Sequence, residues 1–198
     1  MIGIIDYGAG NLKSVCNALE HLGFGFKVFA SPEGLEDCGK LILPGVGAFP
    51  STMEALDKRG FVRPIRALAG KLPFLGICLG MQLLFEEGFE FSHCEGLGLI
   101  PGRVERIKDT GLRIPHVGWN GLDIKQKSPL LEGLEDGDCC YFVHSYMAAT
   151  EAEYIAASCG YGVEVPALVQ RGNIFGAQFH PEKSSLVGIK ILENFGRV

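Results

Sequence analysis

Apolar positions in the first half of the chain alternate between two spacings. Residues 2–6 form a short apolar run that ends at Asp6-Tyr7-Gly8-Ala9-Gly10, the pattern of a buried strand entering a turn. Leu12, Val15, Cys16 and Leu19 then recur at helical spacing, which predicts a helix over 12–22 with Asn11 as its cap. Residues 24–29 and 40–43 read as further strands, closed by Ser31-Pro32 and Pro44-Gly45. A helix over 52–69 bent near Pro64, a strand over 73–77 and a helix over 79–87 complete the series. Strand and helix in alternation build a mostly parallel sheet with helices on both faces.

From Gly98 the pattern changes. Short runs at 103–107, 122–124, 141–147, 154–158, 167–170 and 174–179 predict strands joined by turns, with Gly172-Asn173 as a hairpin signal. A helix over 184–195 closes the chain. No repeat, low-complexity tract or linker interrupts it, so residues 1–198 are expected to form one α/β domain with a β-rich second half.

Composition agrees with a globular chain, at 47% hydrophobic and 21% charged residues. The 28 glycines have no triplet period and therefore mark tight turns and close backbone approaches. The net charge is −5 and no Lys/Arg run is present, which argues against nucleic acid as a partner. The longest nearly unbroken apolar stretch, 74–85, is well short of the ~20 residues that a membrane span needs. Met1 leads straight into Ile2-Gly3-Ile4-Ile5 without a signal-peptide pattern, so a cytoplasmic location is expected. The seven cysteines are odd in number and form no C-x-x-C pair, which predicts reduced thiols and no metal site.

One cysteine differs from the rest. Gly76-Ile77-Cys78-Leu79-Gly80 follows an apolar strand and precedes a helix, matching the G-x-nucleophile-x-G elbow. At such a turn, side chains two residues either side of the nucleophile would collide, so glycine is required at both. The N–H of Leu79 can face a developing oxyanion, and the helix N-terminus favours a thiolate. A thiol nucleophile needs an imidazole base, itself held by an acid. His180 follows the strand over 174–179, and rigid Pro181 sets Glu182 two residues on. His144, inside a predicted strand, is the rival base. His21 and His93 read as solvated, and His116 as a structural hydrogen bonder.

Three segments together resemble the class I (triad) glutamine amidotransferases: Pro44-Gly45-Val46-Gly47-Ala48-Phe49, Gly76-Ile77-Cys78-Leu79-Gly80-Met81-Gln82 and Gln178-Phe179-His180-Pro181-Glu182-Lys183. Pro115-His116-Val117-Gly118-Trp119-Asn120, Tyr141-Phe142-Val143-His144-Ser145-Tyr146 and the opening Asp6-Tyr7-Gly8-Ala9-Gly10-Asn11-Leu12 are similar to the subfamily that serves imidazole glycerol phosphate synthases of histidine biosynthesis. Val46, where related glutaminases carry a second glycine, is a mark of that subfamily.

The resemblance implies a flavodoxin-like amidotransferase fold and a glutaminase with no cofactor. Cys78 would attack the carboxamide of glutamine, with His180 relaying protons and Glu182 orienting it. Val46, Gly47 and Leu79 would form the oxyanion hole, and Gln82, Ser145 and Tyr146 would bind the substrate. Asn11, Trp119, Tyr141 and Lys183 would lie at or near an interface with a separate (β/α)₈-barrel cyclase subunit, in an expected heterodimer. No G-x-x-x-x-G-K-[ST] loop is present, and Gly8-Ala9-Gly10 lacks the third glycine of a dinucleotide fingerprint, so phosphate chemistry falls to that partner. Two other readings are a glutaminase for anthranilate or pyridoxal phosphate synthesis and a non-catalytic α/β binding protein. The Val46 loop and the segment from Pro115 to Asn120 argue against the first, and the intact Cys78, His180 and Glu182 against the second. Because a β-branched residue resists positive φ, the Val46 loop is expected to rest with an N–H misdirected.

Overall fold

The computed structural model describes residues 1–9, 11–108 and 111–198, so Gly10 of the opening turn lies outside the described residues. Five strands, β1 (Ile2–Ile5), β2 (Phe26–Phe29), β3 (Lys40–Gly45), β4 (Phe74–Cys78) and, by later numbering, β14 (Ile174–Ala177), run parallel as neighbours in one sheet. Antiparallel β13 (Glu164–Arg171), β12 (Ile155–Gly160) and β9 (Asp123–Ile124) extend it to eight strands in the order β2-β1-β3-β4-β14-β13-β12-β9.

The unbroken apolar runs of the parallel strands have a simple cause. Successive side chains point to opposite faces, and both faces are buried. Ile4, Ile42 and Leu75 enter one core cluster; Ile5, Leu41, Leu43 and Phe74 enter the other. Helices α1 (Leu12–His21) and α5 (Ser185–Arg197) cover the first face through Val15, Leu19, Ile191, Leu192 and Phe195. On the second, α2 (Phe49–Lys58) and α3 (Val62–Leu68) contribute Met53, Leu56, Val62 and Ile65. Two smaller sheets stand apart: β8 (His116–Gly121) with β10 (Cys139–His144), and β5 (Glu87–Gly88), β6 (Cys94–Glu95), β7 (Arg103–Arg106) and β11 (Tyr146–Ala149). Among the described residues no helix is long and apolar enough to cross a membrane.

Several expectations need correction. The single helix over 52–69 is two helices, interrupted by Gly60 at φ +75°, a left-handed conformation that ends a helix. The helix over 79–87 is one turn only, α4 (Leu79–Gln82). Its would-be continuation loses carbonyls to a tertiary partner: Leu97 and Leu99 N–H groups bond the Leu83 and Leu84 carbonyls at 2.8 Å each, and Gly98 N–H bonds that of Phe85 at 3.0 Å. The predicted strand over 141–147 breaks at Ser145, and its halves pair in different sheets. Strand β8 was not anticipated, because Gly118, Asn120 and Gly121 carry little strand propensity. Asn11 makes no side-chain cap; its carbonyl accepts from Ser14 N–H at 3.2 Å instead.

Candidate active site

The parallel register brings three distant segments together. Gly45 of β3 and Cys78 of β4 are partners, as are Ala177 of β14 and Ile77 of β4. Val46, Cys78 and His180 therefore emerge side by side at the carboxyl ends of adjacent strands, where open α/β sheets place their chemistry. Cys78 is held at φ 54°, ψ −109°, a strained conformation for a non-glycine residue. The flanking glycines make the elbow possible. A Cβ on Gly76 would lie 2.5 Å from the Gly80 carbonyl oxygen, and one on Gly80 would overlap the Leu43 carbonyl.

Cys78 and His180 line the same cavity, with the Cys78 sulfur 3.9 Å from the Val143 carbonyl, and His180 Nδ1 meets Glu182 Oε1 at 2.8 Å. Both acidic and basic side chains are almost wholly buried, at 1% and 3% exposure. The turn is braced from behind. His180 N–H donates to the Tyr141 carbonyl at 3.0 Å, Ser184 Oγ donates to the His180 carbonyl at 2.7 Å, and Tyr141 N–H donates to Ser184 Oγ at 3.0 Å. Burial by itself pushes the His180 imidazole down, but hydrogen bonds and charges from Cys78 and Glu182 outweigh it and raise its pKa to about 9. Because α4 is a single turn, its dipole is small, and His180 is the main cationic partner for a thiolate. Glu182 Oε2 is buried without a hydrogen-bond partner among the described residues.

A cavity of about 330 Å³ opens over this constellation. Every residue expected to act in catalysis, in the oxyanion hole or in substrate binding lines it, apart from Glu182, which supports His180 from beneath. Gln82 Nε2 donates to the Tyr146 carbonyl at 2.9 Å and to Gln178 Oε1 at 3.1 Å, so both amide hydrogens are committed. Gln178 Nε2 in turn reaches the Cys78 sulfur at 3.9 Å. The oxyanion expectation meets a complication: Val46 N–H donates to the buried Tyr7 Oη at 3.3 Å and so is not directed into the cavity in this conformation. His144 is not a free base, since Nδ1 bonds the Tyr146 carbonyl at 2.8 Å and Nε2 faces His116 Nδ1 at 3.1 Å.

Sequence reasoning missed Glu90, which lines the cavity and accepts the Phe49 N–H of α2 at 2.7 Å. It lies in an acidic stretch with Glu86 and Glu87, and nothing in the local pattern separates it from them. Among the expected interface residues, Trp119 and Tyr141 are cross-strand partners with ring centroids 5.9 Å apart, and Trp119 is 53% exposed. Lys183 is exposed on the one-turn helix Pro181–Lys183, against which β10 and α1 pack. Asn11 is half-buried at the start of α1. Among the described residues no group of three or more His, Cys, Asp or Glu side chains is placed to hold a metal ion.

An elbow cysteine, a buried His-Glu pair and this sheet order together define a class, and the chain matches the glutamine amidotransferase class-I family model over residues 3–197. It belongs to that family. Over its full length it is 56% identical to a Desulfitobacterium hafniense protein named imidazole glycerol phosphate synthase subunit HisH, covering 94% of that relative. A Listeria monocytogenes protein of the same name is 48% identical, with 100% of this chain and 96% of the relative covered. A solved structure titled as a glutamine amidotransferase superimposes with a TM-score of 0.76 at 23% identity, covering 98% of each chain, a likeness of fold.

Proposed function

We propose that residues 1–198 act as one glutaminase domain in the cytoplasm, hydrolysing glutamine and supplying ammonia to a separate (β/α)₈-barrel cyclase subunit. That partner would make imidazole glycerol phosphate and aminoimidazole carboxamide ribotide in histidine biosynthesis. The observation that carries this reading is an elbow cysteine that shares one small-molecule-sized cavity with an imidazole held at 2.8 Å by a buried carboxylate. Relatives named as synthase subunits, at 48% and 56% identity, support the choice of acceptor.

The reaction follows from the geometry. Cys78 Sγ attacks the carboxamide carbon of glutamine as a thiolate, its proton already held on His180 Nε2 because Nδ1 is committed to Glu182. The tetrahedral oxyanion takes hydrogen bonds from Leu79 N–H and from the Val46-Gly47 loop. His180 gives its proton to the departing nitrogen, the C–N bond breaks, and a γ-glutamyl thioester and ammonia remain. Water, losing a proton to His180, then cleaves the thioester to glutamate and the free thiol. Gln82 has only Oε1 left to accept from the carboxamide N–H. Ser145 and Tyr146 hold the α-amino and carboxylate groups, and the Glu90 carboxylate opposes the α-ammonium charge. Asn11, Trp119, Tyr141 and Lys183 form the cyclase-facing surface.

The test is co-purification with the barrel cyclase, followed by assay of glutamine hydrolysis with and without its nucleotide substrate. Co-elution and stimulation are expected. Hydrolysis that persists with neither co-elution nor stimulation points to another ammonia acceptor.

The Tyr7 contact yields a second prediction. If the Val46 N–H is withdrawn from the cavity at rest, Tyr7→Phe and Val46→Gly both raise hydrolysis by the isolated subunit, by at least about tenfold for Val46→Gly, since one oxyanion donor is worth ~10²–10³ in rate. An increase no greater than that of the distant control Val198→Gly refutes it.

A further inference from the structure

A string of polar groups runs back from the cavity wall at His144 and Tyr146, and its hydrogens can be counted. At one end Asn120 Nδ2 donates to the Gly160 carbonyl at 3.0 Å. That fixes the amide, so Asn120 Oδ1 faces His116 Nε2 at 2.8 Å and this nitrogen carries a hydrogen. At the other end, the Tyr146 carbonyl only accepts, so His144 Nδ1 carries a hydrogen across its 2.8 Å bond. Between them His116 Nδ1 and His144 Nε2 lie 3.1 Å apart. With both rings neutral, each has spent its one N–H, and two lone pairs face each other in a buried site. The three bonds close only if one more proton sits between the rings.

We propose that His116 and Asn120 are positioning residues that fix the His144 wall of the cavity through this one shared proton, making the His116–His144 pair a buried monocation. The inference rests on the glutaminase reading for its consequence in catalysis, although the proton count does not. His144 and Gln82 converge on the same Tyr146 carbonyl, so the string holds the backbone of the Ser145-Tyr146 turn that receives the substrate.

Two features favour the charge. The His116 ring is stacked between Phe142 and Tyr161, with centroids at 4.9 and 3.9 Å and planes within 14° and 20°, so two aromatic faces meet the cation. With one proton shared between Cys78 and His180, the Cys78, His180 and Glu182 set carries −1 on whichever of the two it sits, and the pair neutralises that charge. Burial opposes it, pushing His116 down and His144 to about 4, with the His180 charge acting in the same direction on His144. Titratable groups on the elements packed around the pair include His180, Cys78, Glu90 and Tyr146 on the cavity side, Tyr161 over His116, Glu182 and Lys183 on the one-turn helix against β10, Cys140 and Tyr141 on β10 itself, and Cys159 on β12 against β8.

Nitrogen-15 NMR of the histidine-labelled protein at neutral pH reads the count directly. Three N–H groups on the four ring nitrogens of His116 and His144 are expected, and two overturn the proposal. Asn120→Leu lets His116 move its hydrogen to Nδ1 and satisfy His144 without charge. It is expected to leave two N–H groups and to raise KM for glutamine about fivefold or more with kcat changed much less, the scale of one hydrogen bond. An unchanged KM overturns the positioning role. Asn120→Asp, a stronger acceptor, is expected to keep the third proton to higher pH, and no such shift also overturns the proposal. A wild-type protein that fails to hydrolyse glutamine under any condition counts against the glutaminase reading, while the proton count stands or falls separately.

Discussion

Cys78→Ala is expected to lower glutamine hydrolysis by at least about 10⁴-fold while leaving the fold intact. The loss is that of a nucleophile acting as a unit with its base, and the size follows from measured removals of such groups. A small apolar replacement fits the site, since the thiol is 7% exposed and sits within a core cluster. The same substitution has a readout that does not depend on activity. Cys78 is among the causes that raise His180 to about 9, so its removal lowers the imidazole pKa toward its ordinary 6.5. The sign for stability follows. The folded value lies above the unfolded one, so the contribution of charged His180 is fully present below about pH 6.5 and is lost as pH rises through about 9. Denaturation of the wild type across that window is expected to show the loss, and Cys78→Ala to show less of it. An unmoved His180 titration would mean that sulfur and imidazole are not coupled.

Gly80→Ala is expected to destabilise the protein by about 3 kcal/mol, the upper range for overpacking a filled core. One methyl group is enough because it meets backbone. The added Cβ overlaps the Leu43 carbonyl, and neither β3 nor the elbow can yield without breaking the register that pairs Gly45 with Cys78. For a chain of this length the change corresponds to a fall in Tm of roughly 6–12 °C. Activity is expected to fall as well, because the strained Cys78 backbone is held by the packing that the methyl group disturbs. A Tm within a degree of wild type would show that the elbow is looser than its geometry requires. Gly23→Ala, where nothing lies within 4 Å of the added Cβ but φ is +73°, separates the cost of a left-handed backbone from that of collision.

The candidate catalytic residues were legible because their spacing has a local cause. The elbow needs glycine at 76 and 80 whatever surrounds it, and Pro181 sets Glu182 against His180 within one turn. Local patterns also marked the parallel strands, since a strand buried on both faces is apolar throughout. Long apolar runs were less informative. Residues 79–85 read equally well as helix, yet only one turn forms, because the segment around Leu97 and Leu99 claims the carbonyls that a longer helix would use.

By itself the sequence determined the alternation of strands and helices in the first half, apart from the split at Gly60, and marked Cys78, His180 and Glu182 as the candidate nucleophile, base and acid. Tertiary structure alone decided how the cavity wall is built: the break at Ser145, the capture of Val46 N–H by Tyr7, the entry of Glu90, and the engagement of both His144 nitrogens. The physical reason is range. Turn chemistry and periodicity act over a few residues, whereas the Val46, Glu90 and His116 contacts join groups 28 to 41 positions apart and exist only after sheet register has fixed which strand ends are neighbours.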